Sequence, residues 1–338
     1  MAPNYMNRPQ IRLALVGFGN IAAQHITVFR SLGASIVAAA SRSLQNRHRA
    51  EQIGGIERTY ADVLTMMEHD HPDGIIVTTS ALSQFEVIHK LIAYDVPLLV
   101  EKPPALSLAH WIVLRDNIEA QHLPIMVGLN RRYYSVYRQA IQRMGGTAAV
   151  SSVSIQWSED VDGILAVGHS PQLLPVLNFA NSIHGLDLLI FFGGILRNAE
   201  VWGRNLDPSG RRLRWQMSLH GVTDRGVRTS FESNWDVPGR WRLVVDAADM
   251  RMISAPLETA VLFTRGCAPE TLEPSPEDQQ FKPGFWGQAL AFLELIRERK
   301  VPTWPAASLE EVSASMQLAE MLTRACQTSL GTEMALAK

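Results

Sequence analysis

The chain has 338 residues, of which 46% are hydrophobic and 19% are charged, and its formal net charge at pH 7 is -2. This composition excludes a disordered chain, and the charge balance excludes nucleic acid or an acidic membrane surface as the main partner. The chain is longer than the chains that usually fold around a single hydrophobic core, so its length predicts two domains.

Cysteine usage and the apolar stretches predict the location of the protein. Cys267 and Cys326 are the only cysteines, and neither has a metal-type spacing. We therefore expect no disulfide framework and no metal site. The first ten residues, MAPNYMNRPQ, lack the apolar segment of a secretory signal, and no stretch reaches the roughly 20 apolar residues of a membrane helix. We expect a soluble, cytoplasmic protein.

Residues 1–128 alternate short apolar runs with helical stretches. The predicted strands are IRLALVGFG, SIVAAAS, DGIIVTTS, VPLLVEKP and PIMVGLN. The predicted helices include NIAAQHITVFRSLG and LQNRHRAEQIGG. Strands that alternate with helices of this length predict βαβ units in an α/β domain, with a doubly wound parallel sheet of the Rossmann type.

Residues 129–338 form the second predicted domain, and their pattern differs. Partial alternation predicts long antiparallel strands in AAVSSVSIQWSE, AEVWGRNL, LRWQMSLHGV, VRTSFESNWDV and WRLVVDAADMRMISA. Helices are predicted in PVLNFANSIHGLDLLIFFGG, GFWGQALAFLELIRER and SLEEVSASMQLAEMLTRACQ, and a long loop in Ala268–Gly284. The expected architecture is an α/β domain with a large, open, mainly antiparallel sheet.

The segment Gly17-Phe18-Gly19-Asn20-Ile21-Ala22 is a G-x-G-x-x-A pattern between the first predicted strand and helix. The first glycine permits a tight turn, the second allows backbone amides to approach a pyrophosphate, and a small third residue permits close packing. A plain strand–turn–helix is the alternative. The position at the first βα turn of an alternating array favours dinucleotide binding by Gly17, Gly19, Asn20 and Ile21.

The end of the second predicted strand indicates which dinucleotide binds. An NAD site carries an acidic residue there for the ribose 2′-hydroxyl. Here the residues are Ser41, Arg42 and Ser43, whose guanidinium and hydroxyls suit a 2′-phosphate. The sequence therefore favours NADP over NAD, although a solvated arginine in a turn is the simpler alternative.

Several motifs together resemble the Gfo/Idh/MocA oxidoreductase family, which is named for glucose–fructose oxidoreductase and inositol dehydrogenase. They are GFGNIAAQH, IIVTTSALS, VEKP, MVGLNRRY and a His-x-x-Asp helix. The resemblance implies a Rossmann domain, a second domain on an open sheet, and a C-terminal helix that returns towards the first domain. It also implies oxidation or reduction of a carbohydrate hydroxyl or ketone, and association as a homodimer or homotetramer.

The resemblance assigns the site residues of the first domain. Lys102 would lie beside the reacting hydroxyl, where an ammonium polarises a carbonyl or stabilises an alkoxide. Thr78, Ser80 and Glu101 join Lys102 as expected cofactor-binding residues, and a cis bond is expected before Pro103. An exposed ion pair between Lys102 and Glu101 is the alternative.

The resemblance also assigns His184 as the general acid/base, since a histidine exchanges protons near neutral pH. Asn181, His184 and Asp187 recur every three residues, so we expect them on one helical face, with Asn181 and Asp187 as substrate-binding residues or as backbone caps. Arg132 would bind substrate or cover the domain junction. Ala180 departs from the family pattern, which has an aspartate four residues before the histidine.

The sequence thus predicts a metal-free oxidoreductase that acts on a sugar, amino sugar, nucleotide sugar or cyclitol. Two alternatives remain open. One is a cofactor-binding regulator without catalysis, which Ala180 favours and which Lys102 and His184 disfavour. The other is a reductase of a non-sugar substrate on the same scaffold.

Overall fold

The structure is a computed structural model that describes residues 10–207, 209, 212–235, 237, 239, 241–300, 303–327 and 334–335. The stretch predicted not to be a signal lies, apart from residue 10, outside the described residues. The chain divides into two compact units. In described residues, the first unit comprises 10–104, 113–128 and 285–300, and the second comprises 105–112, 129–284 and 303–335 with the gaps given above.

Strands and helices are numbered in chain order. The strands are β1 (Arg12–Val16), β2 (Ser35–Ala40), β3 (Arg58–Tyr60), β4 (Gly74–Val77), β5 (Leu98–Glu101), β6 (Ile125–Gly128), β7 (Val150–Trp157), β8 (Leu196–Asn205), β9 (Trp215–Thr223), β10 (Arg228–Asn234), β11 (Arg242–Ala247), β12 (Met250–Ser254), β13 (Ala260–Thr264), β14 (Glu270–Leu272) and β15 (Met334–Ala335). The α-helices are α1 (Asn20–Ser31), α2 (Leu44–Gln52), α3 (Val63–Asp70), α4 (Ala81–Leu91), α5 (Leu108–Ala120), α6 (Ser135–Arg143), α7 (Val161–Ala166), α8 (Ile183–Gly193), α9 (Pro276–Gln280), α10 (Phe285–Glu298) and α11 (Leu309–Gln327).

The first unit contains a parallel sheet with the strand order β3-β2-β1-β4-β5-β6. Its central strands β1, β4 and β5 are buried along most of their length, which explains their continuous apolar runs. The predicted doubly wound sheet is confirmed. The edge strand β3 and helix α3 were not predicted, because Arg-Thr-Tyr in β3 has neither the length nor the apolar pattern of a buried strand.

The second unit contains a sheet whose described strands have the order β14-β13-β12-β11-β7-β10-β9-β8-β15. The β7–β10 pair is parallel and the remaining pairs are antiparallel. Helices α8 and α11 contact each other and strands of this sheet, and along β10 every second residue is buried. The prediction of a mainly antiparallel open sheet is confirmed.

Three local predictions in the second unit need correction. The segment WRLVVDAADMRMISA is a hairpin of β11 and β12 rather than one strand, and Ala248 in its turn has a φ of 41°. The predicted loop Ala268–Gly284 contains β14 and α9. The long helix predicted before residue 194 is a 3-10 segment (Pro171–Val176), a π-helical turn (Asn178–Ser182) and then α8. Pro175 lies inside the 3-10 segment, where its nitrogen cannot donate a hydrogen bond.

Side chains cap the helices that carry or flank the site. Ser43 Oγ accepts from the Asn46 amide at the start of α2, and Asp160 Oδ1 accepts from the Gly163 amide at the start of α7. Among the helices of the described residues, none combines the length and the apolarity that crossing a bilayer requires.

Candidate functional site

The first unit turns sharply between β1 and α1 at Gly17. This residue has a φ of 88°, and its amide donates to the Ala40 carbonyl oxygen over 2.8 Å. A Cβ at Gly17 would lie 2.8 Å from the carbonyl carbon and oxygen of Thr78, so only glycine fits. The tight turn predicted from the fingerprint is therefore present, and it leads directly to the N-terminus of α1, where backbone amides favour an anion.

The other residues of the predicted cofactor site surround this turn in different ways. Thr78 is buried, and its Oγ1 donates to the Gly17 carbonyl oxygen over 2.8 Å. Gly19 is the N-cap of α1, and Asn20 and Ile21 form its first turn. Ser80 is the exposed N-cap residue of α4, and its hydroxyl is 3.0 Å from that of Ser83. Thr78 thus holds the turn from the neighbouring strand.

Ser41, Arg42 and Ser43 follow β2, as predicted. Residues 41–47 include no acidic side chain. Arg47, one helical turn further on, donates through Nη1 to the carbonyl oxygens of Ser41 and Arg42 over 2.8 and 3.2 Å. Sequence reasoning missed Arg47, although its spacing of four from Ser43 indicates that it points back to the helix start. The end of β2 therefore carries two guanidinium groups.

The Glu-Lys-Pro motif closes β5. His25 Nε2 lies 2.7 Å from Glu101 Oε1, and His25 is only 2% exposed. The Glu101 carbonyl oxygen accepts from Gln84 Nε2, and the Lys102–Pro103 bond is cis, as expected. The carboxylate and carbonyl of Glu101 are both engaged within the first unit, so they fix the backbone from which Lys102 projects.

In the second unit, the predicted His184 lies on the first turn of α8 and is buried. Gly185 follows it, and a Cβ there would lie 2.8 Å from the Trp157 ring. Glycine therefore allows α8 to approach β7 closely. Asn181 lies in the preceding π-helical turn, a distortion that often occurs at functional sites.

Asp187 and Arg132 form a buried ion pair. Arg132 is 0% exposed and Asp187 1%. Arg132 Nη2 donates to Asp187 Oδ1 over 2.7 Å, Nε contacts both carboxylate oxygens at 2.9 Å, and Nη1 donates to Glu311 over 3.1 Å. Burial raises the pKa of Asp187, and the guanidinium of Arg132 opposes that rise. Because Arg132 is completely buried, a substrate could contact it only after neighbouring groups had moved.

A buried carboxylate that sequence reasoning missed lies just after β7. Glu159 is 3% exposed. Its Oε1 accepts from Trp157 Nε1 over 2.7 Å and from Ser182 Oγ over 2.9 Å, and its Oε2 accepts from Asn181 Nδ2 over 2.6 Å. Of the predicted residues, Asn181 bonds Glu159 whereas Asp187 bonds Arg132, so these two side chains have different partners.

Aromatic stacking holds Trp157, the tryptophan that donates a hydrogen bond to Glu159. The Trp157 and Trp241 rings stack with centroids 4.1 Å apart and an interplanar angle of 8°. The guanidinium of Arg131 lies 4.6 Å from the Trp241 ring centroid, a cation–π contact. Trp241 Nε1 donates to the Ser158 carbonyl oxygen over 2.7 Å. Both tryptophans are thus held rigidly beside the carboxylate.

Glu159 and Asn181 line an open cavity of about 1240 Å³ that lies within the second unit. It is formed where β7, β10 and β12 end and where β9 and β11 begin, and its walls include Trp235 and Trp241. This volume exceeds the roughly 300–1,000 Å³ typical of small-molecule sites. The cavity can therefore hold a small polar ligand against a carboxylate, an amide and aromatic rings.

Comparison with known proteins supports the family. Residues 11–129 match the model of the family described as "Oxidoreductase family, NAD-binding Rossmann fold". The D-apiose dehydrogenase of Paraburkholderia graminis is 31% identical over 204 residues, which cover 56% of this chain and 52% of that protein. An inositol 2-dehydrogenase of Renibacterium salmoninarum is 23% identical over 186 residues, with coverages of 54% and 55%. The chain thus spans about half the length of these curated relatives.

Solved structures share the fold over nearly the whole chain. A dehydrogenase from Chromobacterium violaceum aligns with a TM-score of 0.80 at 19% identity, covering 94% of this chain and 95% of that one. An oxidoreductase from Agrobacterium radiobacter in complex with NAD+, L-tartaric acid and magnesium aligns with a TM-score of 0.79 at 15% identity, covering 96% and 98%. Over residues 11–129 the chain thus matches the NAD-binding Rossmann fold of the Gfo/Idh/MocA oxidoreductase family.

Proposed function

We propose that the protein is an NAD(P)-dependent oxidoreductase that transfers hydride between a nicotinamide cofactor and a hydroxyl or keto group of a sugar or cyclitol. The observation that carries this proposal is the Gly17 turn, which excludes any side chain and precedes α1 in a domain of an NAD-binding family. Relatives named as apiose, inositol and galactose dehydrogenases support a carbohydrate substrate.

The residues of the first unit fit a dinucleotide phosphate. Gly17 leaves backbone space at the turn, and the amides of the first turn of α1 favour a pyrophosphate. Arg42 and Arg47 at the end of β2 favour a 2′-phosphate, because a guanidinium binds phosphate strongly and no carboxylate opposes it there. NADP is therefore the proposed cofactor. When bound, it supplies or accepts the hydride.

Lys102 and His184 are the residues that we assign to the chemistry. The ammonium of Lys102 stabilises negative charge that develops on the substrate oxygen. The imidazole of His184 takes or returns the proton of that oxygen. Asn181 binds a neighbouring hydroxyl, while the Arg132–Asp187 pair fixes the helix on which His184 lies.

We also propose a separate role for each of the two predicted domains. Residues 1–128 bind the cofactor, and residues 129–338 bind the substrate and carry the contacts of a homodimer or homotetramer. Light scattering after size exclusion tests the assembly, and a monomer at micromolar concentration would contradict it. A cytoplasmic location stays a prediction of the sequence.

The cofactor assignment is tested by measuring dissociation constants for NADPH and NADH. We expect the wild type to bind NADPH more tightly, and Arg42→Ala to weaken NADPH binding about tenfold while leaving NADH binding unchanged, because only NADPH carries the 2′-phosphate. Arg265→Ala is the control, since Arg265 is an exposed arginine of the second unit paired with Asp249. Equal affinities for both cofactors in the wild type and in Arg42→Ala would overturn the assignment.

The chemistry is tested by following NADPH formation with D-apiose, myo-inositol and D-galactose. Lys102→Met and His184→Ala should lose at least 100-fold in kcat with any substrate that the wild type oxidises, and His184→Ala should retain cofactor binding. Tight NADPH binding without turnover of any sugar, or of its ketone in the reverse direction, would instead favour the regulator. Unchanged kcat in both variants would refute the assignment of these residues.

A further inference from the structure

A buried histidine connects the helix of the cofactor turn to the residue before Lys102. His25 lies on the second turn of α1, and its Nε2 is 2.7 Å from Glu101 Oε1. Glu101 is the last residue of β5 and directly precedes Lys102. We propose that His25 is a positioning residue, which holds Glu101 so that the ammonium of Lys102 stays beside the bound cofactor; this inference rests on the proposed function.

The ring of His25 is fixed by its neighbours. The side chain is 2% exposed. The Phe29 ring lies nearly parallel to it, with the centroids 6.2 Å apart, and the Phe285 ring of α10 lies 4.8 Å from it. A carboxylate accepts hydrogen bonds, so Nε2 of His25 is the donor to Glu101. His25 therefore holds one carboxylate oxygen of Glu101 at a fixed point on α1.

The other surroundings of Glu101 also restrict it. Gly128 pairs with Glu101 across β6, and a Cβ at Gly128 would lie 3.3 Å from the carboxyl carbon of Glu101. The glycine thus leaves the space that the carboxyl group occupies. Gln84 Nε2 donates to the Glu101 carbonyl oxygen, and Thr79 Oγ1 donates to Gln84 Oε1 over 3.1 Å, which orients the amide. Glu101 is therefore held from α1 and from α4, the helices that follow β1 and β4.

Packing alone does not explain a histidine between Phe29 and Phe285. Burial of a polar pair costs desolvation, and apolar residues of similar volume often give equal or greater stability. An apolar side chain in place of the imidazole would fill the same space, but it would leave the carboxylate of Glu101 free to rotate. Such a rotation would shift the peptide that carries Lys102, and a displacement of about 1 Å at a catalytic group can cost roughly 100-fold in rate. The contact of His25 therefore serves the position of Lys102.

The test measures how fast acetic anhydride acetylates the amine of Lys102, which is half-buried. The protection ratio is the rate without cofactor divided by the rate with saturating NADP+ or NAD+, whichever the wild type binds more tightly. Peptide mass spectrometry resolves every lysine of the chain, and the other four report general changes in accessibility: Lys90, Lys102, Lys282, Lys300 and Lys338. We expect a protection ratio of about 10 or more for Lys102 in the wild type, because the proposed function places its amine beside the cofactor.

Two variants remove the contact and one keeps it. His25→Leu and His25→Asn should reduce the protection ratio of Lys102 to about 3 or less and lower kcat about tenfold, while the dissociation constant of the cofactor changes by about twofold at most. The amide of asparagine is too short to reach Glu101. His25→Gln should keep most of the protection and of kcat, because the amide nitrogen of glutamine reaches the position of Nε2.

His220→Leu is the control for these variants. His220 Nε2 lies 3.0 Å from Glu232 Oε1, so it forms the same kind of pair, but both side chains are more than half exposed and belong to the second unit. We expect the protection ratio of Lys102 in His220→Leu to equal that of the wild type.

The possible results separate this inference from the proposed function. Wild-type protection and kcat in both His25→Leu and His25→Asn would overturn the role of His25 and leave the proposed function intact. A cofactor affinity that falls as much as the protection would also overturn it, because His25 would then act on cofactor binding. Faster acetylation of all lysines in both variants would assign His25 to stability alone. A wild type whose Lys102 neither cofactor protects, and which turns over no sugar, would refute the assignment of Lys102 and this inference together.

Discussion

The two units hold their candidate residues in different ways. In the first unit, the backbone shapes the candidate site through the positive φ of Gly17 and the N-terminus of α1. In the second unit, buried side chains determine it through the Arg132–Asp187 pair and the bonds of Glu159. Backbone geometry suits a ligand that always presents the same phosphates, whereas side-chain networks can change with the substrate while the sheet stays the same.

This difference between backbone geometry and side-chain networks also affects how each unit responds to substitution. A backbone turn is fixed by a few local residues, so a change there affects ligand binding first. A buried charged network joins distant segments, since Arg132 and Glu311 are 179 residues apart, and a change there leaves a charge without its partner. We therefore expect the second unit to depend more strongly on single polar residues than the first.

The largest effect is expected for Arg132→Met. This substitution leaves the carboxylate of Asp187 buried without its guanidinium, and breaking such a pair typically costs about 3–5 kcal/mol. Urea unfolding followed by tryptophan fluorescence measures the loss in the second unit, because seven of the eight tryptophans belong to it and only Trp286 belongs to the first.

Two further variants complete this prediction. Arg132→Met combined with Asp187→Leu should recover much of the stability, because no buried charge remains. Arg251→Met is the control for an exposed pair, since Arg251 is 56% and its partner Asp246 28% exposed; its loss should stay below about 1 kcal/mol. A loss in Arg132→Met as small as that of the control would contradict the comparison.

Gly17→Ala should lose less stability than Arg132→Met but should weaken NADPH binding more. The new Cβ would collide with the Thr78 backbone at 2.8 Å and would force alanine into a positive φ. We expect about 1–3 kcal/mol of destabilisation from the strain and at least a tenfold weaker binding of NADPH. Gly33→Ala is the matched control, because Gly33 has a φ of 83° but open space around its Cβ position. Equal NADPH affinities of the two variants would refute the role of the turn.

The sequence predicts those parts of the fold that are encoded locally. The G-x-G-x-x-A turn and the parallel sheet follow from contiguous residues, and both are present. β3 and β14 were missed because three-residue edge strands show no usable periodicity.

The candidate site of the second unit was predicted only in part, because its contacts join distant segments. His184 follows from the family resemblance and Asn181 from its spacing to His184, but the pairing of Glu159 with Asn181 spans 22 residues and a change of element. No periodicity reports such a contact. The one available signal was an acidic residue two positions after a tryptophan at the end of a predicted strand, in Trp157-Ser158-Glu159.

The smallest effect is expected for Ser43→Ala, which separates a local capping role from cofactor binding. Ser43 Oγ accepts from the Asn46 amide over 3.3 Å, a long bond, so its loss should destabilise the first unit by only about 0.5 kcal/mol. If the hydroxyl also contacts the 2′-phosphate, NADPH binding should weaken several-fold while NADH binding stays the same. Ser275→Ala removes the equivalent cap of α9 in the second unit, and isothermal titration of both variants makes the comparison. If Ser43→Ala and Ser275→Ala bind NADPH equally tightly, Ser43 acts only as the helix cap. Arg42 and Arg47 then remain as the groups that select the 2′-phosphate, because their charge rather than a hydroxyl recognises it.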